Sequence, residues 1–107
     1  MARQFQDFAI MYYTKIYRKG ESAVLAVCDS DSHNKTFEEG GIRLFVDPSF
    51  YGRKETGEEE LIKLLKDIGI INLAGKGCVY LAISEGHVDA ESVLDIGGCL
   101  HAQVYRI

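Results

Sequence analysis

The sequence predicts an α+β domain, a mainly antiparallel sheet of about five strands in the order β-β-β-α-α-β-β with two helices on one face. Three observations lead there. The first third of the chain is rich in Ile, Val, Tyr, Phe and Thr and is broken by the polar turn Arg18-Lys19-Gly20-Glu21-Ser22, which is hairpin chemistry. Leu61, Leu64, Leu65 and Ile68 recur at helical spacing. The chain closes on Gly97-Gly98 followed by an alternating run through Tyr105, a glycine turn feeding a strand.

Each element has its own justification. Residues 8–17 and 23–28 read as the first two strands, joined as an antiparallel hairpin. Residues 29–41 are polar and contain Asp-Ser-Asp-Ser-His-Asn; they read as a loop with one helical turn around Thr36-Phe37-Glu38-Glu39. Gly40-Gly41 opens a third strand at 42–46, closed by Asp47-Pro48. Thr56 followed by Glu59 resembles a capping box, and Glu58-Glu59-Glu60 places negative charge at the positive end of a helix dipole. Gly69 is the expected stop. A second helix is expected with Asn72 as its cap, Ala74, Cys78, Leu81 and Ala82 as its buried stripe, and Gly86 at its end. Residues 93–96 form the fourth strand, and Gly97-Gly98 turns it into the fifth.

Composition narrows the class. At 107 residues, 47% hydrophobic and 26% charged, the chain fits one domain with one core. No apolar run is long enough to span a bilayer, and Met1-Ala2-Arg3-Gln4-Phe5-Gln6-Asp7 is too polar for a secretory leader. The three cysteines form no C-x-x-C pair, so reduced thiols and a cytoplasmic setting are expected. A formal net charge of −4 argues against indiscriminate nucleic-acid binding and leaves room for a local basic patch. No motif asks for a cofactor.

With helices on one face, Ile10, Tyr12 and Ile16, Leu25 and Val27, Leu44 and Val46, and Leu100, Ala102 and Val104 should point into the core. The opposite face should hold Met11, Tyr13, Lys15, Tyr17, Arg43, Phe45, His101, Gln103 and Tyr105. Rings interleaved with cations and amides suit single-stranded RNA, since rings stack on bases and cations neutralise phosphates. Tyr13, Lys15, Tyr17, Arg43, His101 and Gln103 are therefore the candidate binding residues.

Other constellations carry less. Cys99 and His101 share a strand face and form a candidate thiol–base pair for a small enzyme, but no third orienting group is evident. Asp29-Ser30-Asp31-Ser32-His33 is dense in ligand atoms yet lacks the glycine and terminal glutamate of a calcium loop and the paired spacing of a zinc site. It reads as a solvated turn, with no metal expected. Gly75-Lys76-Gly77 suggests a phosphate cradle, but Ile70 stands where a P-loop has its leading glycine, and Gly77 where it has Ser or Thr. The small residues are expected instead to let the helix pack closely.

A longer pattern runs through these segments. Met11-Tyr12-Tyr13-Thr14-Lys15-Ile16-Tyr17-Arg18-Lys19-Gly20 is followed by Ala26-Val27-Cys28-Asp29, Lys35-Thr36-Phe37 and Phe50-Tyr51-Gly52. Asn72-Leu73-Ala74-Gly75, Ala82-Ile83-Ser84-Glu85-Gly86 and Ile96-Gly97-Gly98 through His101-Ala102-Gln103-Val104 complete it. The chain resembles an archaeal family of small conserved proteins catalogued as domain of unknown function 424. Leu100 departs from the proline that the family's pattern has before the histidine. The resemblance implies an archaeal cytosolic protein in the company of translation factors and brings no mechanism with it.

The expectation is thus a non-enzymatic binding module whose partner is RNA or a translation-associated protein. The alternatives are a small enzyme built on Cys99 and His101, and an adaptor or homodimer that buries the aromatic face.

Overall fold

A computed structural model describes residues 11–106. The strands are β1 (Tyr12–Lys19), β2 (Ser22–Asp29), β3 (Thr36–Glu39), β4 (Ile42–Phe45), β5 (Lys54–Thr56), β6 (Ile70–Ala74), β7 (Leu94–Ile96) and β8 (Cys99–Tyr105). The helices are α1 (Pro48–Tyr51), α2 (Glu58–Asp67) and α3 (Lys76–Ser84), with a 3-10 turn at Ala90–Ser92. The α+β class holds, but the main sheet is six-stranded and mixed, in the order β5-β1-β2-β6-β8-β7. The expected first strand begins at residues 8–10, which lie outside the described residues.

The largest departure is β6. The sequence pattern places part of residues 70–74 in a helix capped by Asn72. They form the central strand, parallel to β2 and antiparallel to β8. Ile70 and Ala74 on its outer face are apolar like Ile71 and Leu73 on the inner one, so only Asn72 breaks the run and no polar alternation betrays the strand. Ile71 and Leu73 face the helices, and Ala74 enters the cluster on the opposite side. The crossover from β2 to β6 passes through α2, the connection a parallel pair requires. The helix expected from Asn72 begins only at Lys76.

The second correction concerns residues 36–46. Thr36–Glu39 is a strand rather than a helical turn, and it pairs with Ile42–Phe45 in a separate two-stranded sheet. The cause is the turn. Gly40 and Gly41 both have positive φ (56° and 87°), the two-residue geometry that closes a hairpin. Arg43 and Phe45 are therefore not on the main sheet. Leu44 and Val46 pack on the side opposite α2 and α3.

The helices behave as their spacing requires. Leu61 and Leu65 of α2 and Cys78, Val79 and Ala82 of α3 are buried against Leu25, Val27, Ile71, Leu73, Ala102 and Val104. Glu58, Glu59 and Glu60 occupy the first turn of α2 as expected, but its N-cap is Gly57, which makes no side-chain bond. Thr56 is instead buried, with its hydroxyl 2.7 Å from that of Thr14. A smaller cluster forms on the other face, where Tyr51, Val46, Ala26, Cys28, Ala74 and Cys99 meet under α1. Among the described residues, no helix is long and apolar enough to cross a membrane.

Candidate functional site

Strand register sets the side chains opposite α2 and α3 in rows across β1, β2, β6 and β8. Tyr17, Val24, Ile70 and Tyr105 form one row; Lys15, Ala26, Asn72 and Gln103 the next; Tyr13, Cys28, Ala74 and His101 the third. The structure thus brings Tyr13, Lys15, Tyr17, His101 and Gln103 to one face, as the alternation predicts. Arg43 is not with them. It lies on β4, where its Nε and Nη2 each stand 2.8 Å from Glu38 Oε2.

Half of this face is occupied by the chain itself. α1 lies over its β1 side, because Asp47 caps the single turn by accepting from Ser49 N–H and Pro48 starts it. The Tyr17 ring stacks on Phe50 at 5.5 Å, and its hydroxyl donates to the Phe50 carbonyl. Lys15 Nζ donates to Ser49 O at 3.2 Å and sits 5.1 Å from the Tyr17 ring centroid. Tyr13 packs 4.1 Å from the His33 ring, whose Nε2 donates to Gly52 O at 2.8 Å. The rings expected to stack on bases therefore hold α1 and the loop after β2 in place. Among the described residues, none covers the side at β6 and β8.

The Cys99–His101 pair lacks the marks of a nucleophile and its base. His101 Nδ1 is 2.9 Å from Leu73 O; a carbonyl only accepts, so Nδ1 carries the proton. Cys99 is 2% exposed and its thiol points to Leu100 O at 3.8 Å. Burial is the main cause raising the Cys99 pKa, opposed by a hydrogen bond from Ser32. Burial also pushes Cys28 up to about 12. Thiols with raised pKa values carry little thiolate at neutral pH, which weakens them as nucleophiles.

A different site emerges at the C-terminal ends of the parallel strands β2 and β6. In open sheets this is where ligands enter. A cleft of about 250 Å³ lies there, lined by Asp29, Asp31, Ser32 and Lys35 from the end of β2 and the loop beyond it. Lys76, Phe37, Gly98 and Cys99 complete the wall. The turn Gly97-Gly98, with φ of 58° and 95°, brings β8 back beneath it.

Asp29 organises this end. Its Oδ2 accepts from Gly77 N–H at 2.6 Å and its Oδ1 from Cys78 N–H at 2.8 Å. The α3 N-cap position is Gly75, which has no side chain to serve α3, so Asp29 caps the helix from a neighbouring strand. Gly75 is required twice over. Its φ is +130°, and a Cβ there would overlap the Asp29 carboxyl. Burial raises the Asp29 pKa more than its backbone hydrogen bonds lower it. The anion cradle suggested by Gly75-Lys76-Gly77 is thus formed by the N–H groups of Gly77 and Cys78 and is already filled by a carboxylate of the same chain.

Both halves of this cleft are visible in the sequence, the aspartates after β2 as a solvated turn and the glycines before α3 as a close-packing device. No local pattern marks Lys35 and Lys76 as lining residues. A strand reading of 70–74 would have placed Gly75-Lys76-Gly77 at a strand-to-helix turn beside the end of β2. Among the described residues, no three His, Cys, Asp or Glu side chains come together in a group that could hold a metal ion.

Comparison with known proteins places the chain. No curated protein matches it. The crystal structure of an uncharacterized conserved protein from Methanopyrus kandleri is similar in fold, with a TM-score of 0.70 at 21% identity, over 91% of this chain and 95% of that one. The family model described as "Protein of unknown function (DUF424)" matches residues 17–107. The chain therefore belongs to the DUF424 family, as its closing Gly97–His101 segment and the motifs before it had indicated.

Proposed function

We propose that this protein is a binding module, not an enzyme, and that its ligand is a small zwitterion held in the cleft at the ends of β2 and β6. The carrying observation is the lining. The exposed ammonium groups of Lys35 and Lys76 and the exposed carboxylate of Asp31 surround a space of about 250 Å³. Asp29 is engaged by two backbone N–H groups, so Asp31 is the carboxylate left to meet a cation. A ligand with separated ammonium and carboxylate groups, such as a free α-amino acid, matches both signs. The buried floor of Ser32 and Cys99 supplies a hydroxyl and a protonated thiol, which suits recognition rather than attack. Three free cysteines suit the reducing cytoplasm expected from the sequence.

The RNA platform has less support. Tyr13 and Tyr17 are engaged in internal packing, and Arg43 is paired with Glu38. Calorimetry with free amino acids, their N-acetyl derivatives and their amides tests the cleft reading. Binding should require both charged groups and should weaken on Lys35→Ala, Lys76→Ala and Asp31→Ala. Equal binding of the blocked derivatives, or none of the free ones, would exclude it.

A further inference from the structure

We propose that the open side of the sheet face, over β6 and β8, is a second site, which takes a neutral planar heteroaromatic ring of the nucleobase class. This site is independent of the cleft. A cavity of about 260 Å³ lies there, lined by Phe50, Val24, Ile70, Asn72, Gln103 and Tyr105. Its apolar floor comes from the register partners Val24 and Ile70, in the row that Tyr105 continues. Tyr105 is 71% exposed and free to cover a ring lying on that floor. Phe50 forms the rim toward β1, and its position is set by stacking on Tyr17 and by the edge contact with Tyr51 at 4.9 Å and 86°.

The next row supplies the polar atoms. Asn72 and Gln103 are direct register partners. The Tyr51 hydroxyl donates to Asn72 Oδ1, which leaves the Asn72 Nδ2 donors for the cavity. The exposed Gln103 amide adds donors and an acceptor. Side by side, the two amides offer the mixed donor and acceptor edge that a base presents in return. Among the described residues, no charged side chain lines the cavity. A phosphate group has nothing to hold it there, so the lining selects the ring and not the backbone of a nucleic acid. Stacking on aromatic side chains tolerates any base, and the amides then choose among bases.

Such a ring arrives either as a free nucleoside or as a base within RNA. The test titrates the four nucleosides and the four RNA homopolymers separately into the intact protein, following the side-chain amide resonances of Asn72 and Gln103. At least one nucleoside should shift both resonances. Its affinity should change little between about 50 and about 300 mM salt, because no phosphate contact releases counterions. Tyr105→Ala and Gln103→Ala should each weaken binding about ten-fold. Tyr105→Phe should retain it, and Lys35→Ala in the cleft should leave it unchanged. Homopolymer binding on top of this places the base within RNA; its absence identifies a free nucleoside. Silence of every nucleoside, homopolymer binding that collapses with salt, or indifference to Tyr105→Ala would overturn the proposal.

Discussion

Asp29→Ala isolates the contact on which the end of the sheet depends. The carboxylate receives Gly77 N–H at 2.6 Å and Cys78 N–H at 2.8 Å. Removing it leaves two donors at the start of α3 without an acceptor. Cys78 is fully buried, so its N–H cannot turn to water; Gly77 is half-buried and partly can. An orphaned buried donor costs about 1–3 kcal/mol. Taking roughly 2 for Cys78 and 1 for Gly77 gives a loss of about 3 kcal/mol. Relief of the buried charge offsets part of this, since burial holds the Asp29 pKa above its ordinary value. The net expectation is a loss of roughly 2–3 kcal/mol, or a Tm lowered by roughly 10–20 °C in a domain of this size. Urea unfolding followed by circular dichroism reads it directly, with an unchanged m-value as evidence that the native fold is intact. A loss below about 0.5 kcal/mol would show that Asp29 is not the cap of α3. The raised pKa makes a second, opposite-looking demand. A carboxyl that binds its proton more tightly when folded than its unfolded value of 3.8 contributes most stability below that value. This contribution is lost as pH rises through the folded pKa. Asp29→Asn should remove that part of the pH dependence.

His87 and Arg106 predict the reverse slope in a higher range. Arg106 Nη1 donates to His87 Nδ1 at 2.9 Å while its Nη2 caps α2 through Leu65 O and Ile68 O. The His87 proton then sits on Nε2, which is buried and has no partner among the described residues. Burial and Arg106 lower the His87 pKa, so stability should fall as pH drops from about 6.5 through the lower folded value; His87→Ala should flatten that window in pH-dependent urea titrations. The three thiols should resist iodoacetamide at neutral pH and react only after unfolding; rapid labelling of Cys99 in the native protein would revive the nucleophile reading. Tyr17→Phe should lower stability by about 1 kcal/mol by deleting the bond to Phe50 O while keeping the stack. Thermal unfolding that matches the parent protein would show that α1 is held by the stack alone.

Much of the fold is legible in the residues. The hairpin of β1 and β2, helix α2 and the closing β7–β8 hairpin follow from glycine turns and periodicity, both local properties. Alternation alone places Tyr13, Lys15 and Tyr17 on one face and His101 and Gln103 on one face. Two segments resist. Ile70–Ala74 is apolar on both sides except at Asn72, so its strand character leaves no polar alternation. Thr36–Glu39 is polar and exposed except at Phe37, so it reads as loop until its partner strand is known. The cleft depends on both kinds of failure. Its parallel pair requires β6, and its wall requires the loop that leads to β3.

The sequence by itself determined the α+β class, the family, the amphipathic face of α2 and the alternation of β1 and β8. Each rests on neighbours in the chain or on a motif read along it. Only the tertiary structure decided which exposed faces stay open. Whether Tyr17 meets a ligand or Phe50, and whether the Gly77 amide meets a phosphate or Asp29, depends on residues 33 and 48 positions away. Loop closure brings such residues together through the packing of the whole sheet, and no local pattern records it.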